Sequence, residues 1–111
     1  MRALAAAALL VALPAPAHAA TPRVVTAVAQ TYAPADQAIA AGDPLRFVNL
    51  DADRHDVTAV NTGDDGLPVF GTPVTPPGGT AVVAGVERLG PGVYQFFCSV
   101  HEYMRGTVAV A

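Results

Sequence analysis

Short stretches of apolar and polar residues, broken by clusters of Pro and Gly, fill most of the chain. Arg23–Gln30 carries Val24, Val25, Thr26 and Val28, and Leu45–Leu50 sets Leu45, Phe47 and Val48 around Arg46 and Asn49. His55–Val60 flanks Thr58 with Val57 and Val60, Thr80–Val86 is rich in Val, and Val93–Cys98 carries Tyr94, Phe96 and Phe97. Thr107–Val110 closes the chain. β-branched and aromatic residues in short runs suit strands. The breaks hold turn chemistry, as at Gly42-Asp43-Pro44, Gly63-Asp64-Asp65-Gly66, Pro76-Pro77-Gly78-Gly79 and Gly90-Pro91-Gly92. Beyond the first residues, no helical apolar period is sustained, apart from one turn expected near Ala35–Ala41. Six or more short strands at this spacing predict an all-β Greek-key sandwich or barrel.

The first nineteen residues differ from the rest. Arg2 precedes an uninterrupted apolar run from Leu4 to Leu13, Pro14 and Pro16 end it, and Ala17-His18-Ala19 follows. This is the layout of a secretory signal peptide, with cleavage expected after Ala19. The run is half the ~20 residues that a membrane span needs, so an anchor is not expected. Residues 20–111 then form a single exported domain, periplasmic or extracellular, with no membrane span.

Composition narrows the function. The 111 residues carry a formal net charge of −3 and ten each of Gly and Pro. Without residues 1–19, five Arg face nine Asp plus Glu, a net charge of −4. An acidic chain with no Lys is a poor nucleic-acid binder. The single Cys excludes an internal disulfide, a four-Cys zinc site, an iron–sulfur cluster and a dithiol redox pair.

Chemistry collects in two places. His55 opens one strand, and Cys98, His101 and Met104 fall within seven residues directly after the aromatic strand. After cleavage these are the only His, Cys and Met left. Each alone has an ordinary explanation: a surface His, a buried inert Cys, a Met filling core. Together, in an exported β protein, they form a soft ligand set. Two His and one Cys in a trigonal arrangement with a distant Met is the blue-copper pattern. No second Cys is present for a binuclear copper centre, and no general base or nucleophile for an enzyme is evident.

The segments Phe47-Val48-Asn49-Leu50…His55-Asp56-Val57 and Tyr94-Gln95-Phe96-Phe97-Cys98-Ser99-Val100-His101-Glu102-Tyr103-Met104 resemble those of the cupredoxins, the plastocyanin and azurin family of small copper proteins. The two-residue gap between His101 and Met104 resembles the short ligand loop of amicyanin. The resemblance implies one copper ion cycling between Cu(I) and Cu(II), with His55, Cys98 and His101 as equatorial ligands and Met104 as the axial one. It implies a non-enzymatic, monomeric shuttle of single electrons that docks transiently with a redox donor and acceptor. His101 would be the solvent-facing ligand through which electrons pass, and the one that acid releases from Cu(I). Val100, Tyr103, Leu67, Pro68 and Val69 are candidates for the apolar patch around it. Asp51, Asp53, Asp64 and Asp65 are read as solvated loop or part of a docking face. Two positions depart from the family pattern. Asp56 replaces an Asn that braces the ligand loop through the residue at Ser99, so an ionised Asp56 would favour Cu(II) and lower the potential, unless it points to solvent. Glu102 replaces a Pro after the second His. A copper carrier on the same fold, or a metal-free interaction module, would fit the same architecture.

Overall fold

The computed structural model describes residues 23–111. The expected leader, residues 1–19, and the start of the domain at residue 20 lie outside the described residues. Eight strands make two four-stranded sheets. They are β1 (Arg23–Val28), β2 (Thr31–Ala33), β3 (Asp36–Ile39), β4 (Leu45–Asn49), β5 (Thr58–Ala59), β6 (Thr80–Val82), β7 (Gly92–Phe97) and β8 (Arg105–Val110). One sheet runs β2-β1-β4-β6 and the other β3-β8-β7-β5. The pairs β1/β4 and β3/β8 are parallel and the rest antiparallel. The expected all-β sandwich is therefore what forms.

The two-residue repeat explains which side chains meet between the sheets. In β4, Leu45, Phe47 and Asn49 are buried while Arg46 is exposed. In β8, Gly106, Val108 and Val110 are buried and alternate with Arg105, Thr107 and Ala109. Phe96 of β7 sits at the middle of the interior, with Tyr32 edge-on at 4.8 Å and Phe70 at 6.3 Å between ring centroids. Such edge-on pairs add about 0.5–1.5 kcal/mol to the burial of the rings themselves. Gly106 lets β8 pass close to this ring. A Cβ there would lie 2.4 Å from Phe96 Cζ and 2.7 Å from the Ala35 carbonyl oxygen.

Three elements differ from the sequence reading. Ala35–Ala41 is not a helical turn: it contains β3, whose Gln37 and Ile39 face inward while its backbone pairs with β8. Its short 36–39 alternation is too brief to outweigh the surrounding Ala, which suits helices. The strand expected over His55–Val60 shrinks to β5, and His55 instead makes an isolated bridge to Thr75. The strand expected over Thr80–Val86 stops at Val82, and Val86–Arg88 turns as a short 3₁₀ helix after Gly85 (φ 103°). Among the described residues no helix is long and apolar enough to cross a membrane.

Candidate metal centre

β7 delivers the thiol. Tyr94, Phe96 and Cys98 lie on one face by strand parity, and Cys98 is fully buried below Phe96. The β7/β8 ladder stops at the Phe97–Arg105 pair. Beyond it, the Cys98 N–H donates to the Met104 carbonyl at 3.1 Å and the Met104 N–H to the His101 carbonyl at 2.9 Å. These two bonds close a tight loop over residues 98–104 and bring Met104, 2% exposed, back beneath the sandwich edge. His101, in the same loop, keeps 22% of its side chain exposed.

The second half of the site comes from the loop after β4. His55 exchanges two backbone hydrogen bonds with Thr75, at 3.2 and 2.8 Å, which fixes its backbone. Its ring is fully buried. His55 Nδ1 faces Cys98 Sγ at 3.7 Å, and the Asp56 N–H donates to the same sulfur at 3.5 Å. Metal–nitrogen and metal–thiolate bonds of ~2.0 and ~2.3 Å, set at the ~120° of a trigonal site, place those two atoms ~3.7 Å apart. The pair therefore fits a shared metal ion. The His55 and His101 rings lie edge to face, 5.0 Å between centroids. Among the described residues no three His, Cys, Asp or Glu side chains converge as a complete cage. The closed part of the set is the His55–Cys98 pair, with Met104 and His101 held beside it by the loop.

Asp56 settles the first departure from the family pattern. It is buried at 4% exposure rather than turned to solvent. Its Oδ1 accepts the Ser99 N–H at 2.7 Å and the Thr58 hydroxyl at 3.3 Å, and its Oδ2 accepts the Ser99 hydroxyl. Asp56 thus performs the brace, tying the first residue of the ligand loop to the His55 segment. The Tyr32 hydroxyl donates to the Asp56 carbonyl, and burial, then the nearby Cys98 and Asp56, pushes that phenol far up from its usual range.

Asp51 and Asp53 have a role that sequence reasoning did not find. Asp51 Oδ2 accepts from His55 Nε2 at 2.8 Å and from the Gln30 N–H at 2.7 Å. Asp53 Oδ2 lies 2.8 Å from His101 Nε2. Both carboxyls are held below the usual carboxylate range. For Asp51 the Gln30 N–H is the main cause, then His55; for Asp53 it is the Arg54 N–H, with His101 adding to it against partial desolvation. Buried Asn49 shapes the loop that carries them, donating to the Asp53 and Thr75 carbonyls at 2.8 and 2.9 Å and accepting the Asp51 N–H at 2.9 Å. The only sequence signal was a dense acidic loop just before a candidate ligand.

The expected apolar patch divides. Val100 and Tyr103 lie on the ligand loop, and Tyr103 donates its hydroxyl to Gln30 Oε1. Leu67, Pro68 and Val69 do not join them. The Val69 N–H donates to Asn61, at the level where Val60 pairs with Gln95. That is three strand residues, ~10 Å, from Cys98. Asp64 and Asp65 share that distant turn, where Asp65 accepts the Leu67 N–H at 3.0 Å.

Two such sheets form a small β-sandwich whose buried Cys98 and His55 face each other at one edge, an arrangement consistent with a copper site. The chain belongs to the cupredoxin-like domain family, whose model matches residues 1–110. Among solved structures it is similar to a methionine-to-alanine variant of amicyanin in the Cu(I) state, at 23% identity and a TM-score of 0.67, covering 81% of this chain and 82% of that one. It is also similar to a purple cupredoxin from Nitrosopumilus maritimus, at 22% identity and a TM-score of 0.65, covering 80% of this chain and 99% of that one. A copper-containing nitrite reductase from Thermus scotoductus shares 28% identity at a TM-score of 0.66, over 81% of this chain but 22% of that one. No curated protein matches by sequence.

Proposed function

We propose that the chain is an exported carrier of single electrons, not an enzyme, that holds one copper ion through His55, Cys98, His101 and the more distant Met104. The observation that carries this reading is the buried His55 Nδ1–Cys98 Sγ separation of 3.7 Å, which matches two ligands of one ion. A copper ion there would supply the Cu(I)/Cu(II) couple. The protein's own residues do the rest. The Asp56 N–H steadies the sulfur, the Asp56 carboxyl pins the ligand loop, and the two closing backbone bonds hold that loop in one shape. A site held this firmly rearranges little on a change of charge, which favours fast electron exchange. In this reading a monomer docks transiently with a donor and an acceptor, and the partly exposed His101 and the exposed Tyr103 offer the accessible edge.

The test is to express residues 20–111, add Cu(II), and record visible absorption and EPR spectra. An intense thiolate-to-copper band with small hyperfine splitting supports the electron carrier. Copper binding without that band turns the reading toward a copper carrier. A folded protein that binds no copper sinks both.

A further inference from the structure

The accessible imidazole has a carboxylate where bulk water would otherwise complete it. His101 Nε2 meets Asp53 Oδ2 at 2.8 Å, although the two residues are 48 positions apart. The Asp53 carboxylate is itself fixed: its Oδ1 accepts the Arg54 N–H at 2.8 Å. The backbone beneath is fixed too, because buried Asn49 donates to the Asp53 carbonyl at 2.8 Å. On the other side, the His101 carbonyl accepts the Met104 N–H. Both ends of the contact are thus anchored to backbone, and only the imidazole ring is free to choose an orientation.

We infer that Asp53 is a positioning residue that holds His101 as the Nε2–H tautomer, leaving Nδ1 free to take a metal ion. This rests on the copper reading given above and deepens it. A neutral imidazole carries one proton, and the nitrogen that donates it to an acceptor cannot be the one that binds a metal. A carboxylate on Nε2 therefore selects the nitrogen as well as the ring angle. His55 repeats the arrangement in the interior, with Asp51 on Nε2 and Nδ1 toward the sulfur. One loop, Leu50–Arg54, thereby orients both imidazoles. Outer-shell acceptors of this kind are worth 10- to 100-fold in metal affinity when removed, about 1.4–2.7 kcal/mol.

The first readout needs no metal. Long-range ¹H–¹⁵N spectra of the metal-free protein, at a fixed pH where both imidazoles are neutral, report each tautomer. Wild type should show His101 as Nε2–H alone. Asp53→Ala should show a tautomer mixture and an averaged ring, with His55 unchanged. Asp53→Asn, which keeps an acceptor oxygen, should retain the tautomer. Competition titration with Cu(II) should then give a 10- to 100-fold loss for Asp53→Ala and a smaller loss for Asp53→Asn. A wild-type His101 protonated on Nδ1 overturns the inference, as does an Asp53→Ala protein with an unchanged tautomer and unchanged affinity. If the spectra hold but no copper binds to wild type, it is the copper reading that falls, while Asp53 keeps its orienting role.

Discussion

Asp56 offers the sharpest test of how the ligand loop is held. Its carboxyl accepts the Ser99 N–H at 2.7 Å, and also the Ser99 hydroxyl, at 4% exposure. Asp56→Ala removes both. Hydrogen bonds to a charged acceptor contribute ~1.5–3 kcal/mol each. Ser99 is exposed, so its freed groups regain water and the lower figure applies. The expected loss is about 3 kcal/mol for the metal-free protein. At a urea dependence of ~1–2 kcal/mol/M for a domain of this size, the unfolding midpoint falls by roughly 1.5–3 M. Asp56→Asn keeps an oxygen for the Ser99 N–H and should lose about 1 kcal/mol. The assay is urea unfolding of the metal-free variants, followed by far-ultraviolet circular dichroism. An Asp56→Ala unfolding free energy within about 0.5 kcal/mol of wild type would refute the brace, since that is the size of a neutral surface change. The copper-loaded Asp56→Asn protein should also have a higher reduction potential than wild type, because it lacks a carboxylate on the residue whose N–H meets the Cys98 sulfur.

Three further outcomes follow from the same structure. Gly106→Ala drives a Cβ to within 2.4 Å of Phe96 and 2.7 Å of the Ala35 carbonyl. Overpacking of that kind costs ~1–3 kcal/mol, so the thermal midpoint should drop by roughly 4–8 °C per kcal/mol, and an unchanged midpoint argues against the close packing described. Cys98→Ser should abolish any intense visible copper band while near-ultraviolet dichroism stays native; a band that survives would remove Cys98 from the site. Asp51 and Asp53 are held below the ordinary carboxylate value of ~3.9, so acid protonates them first in the unfolded chain. Their contribution is present above that value and is lost as the pH falls through the folded-state values. The urea midpoint of the metal-free protein should therefore decline below about pH 4, and decline less in Asp51→Asn; a midpoint that rises on acidification contradicts the assignment.

The sequence by itself determined the class of fold and the ligand candidates. Alternation in Leu45–Asn49, and the Phe96–Cys98 parity that turns the thiol inward, are local properties of a strand, readable wherever a strand is recognised. The crowding of Cys98, His101 and Met104 was visible for the same reason, since one tight loop holds all three. Other features belong to pairs of segments that only folding brings together. β3 exists because β8 offers it a parallel partner, not because 36–39 prefers to be extended. His55 gains its meaning from Thr75, which fixes its backbone, and from Cys98, 43 residues away, which faces its ring. The sequence left Asp56 free to brace or to face water, and the sandwich edge decided for the brace. Asp51 and Asp53 looked like solvated charge next to Asp64 and Asp65. The tertiary structure separated the two pairs, sending one to a distant turn and setting the other against the imidazoles, because hydrogen-bond partners are chosen by distance in space and not along the chain.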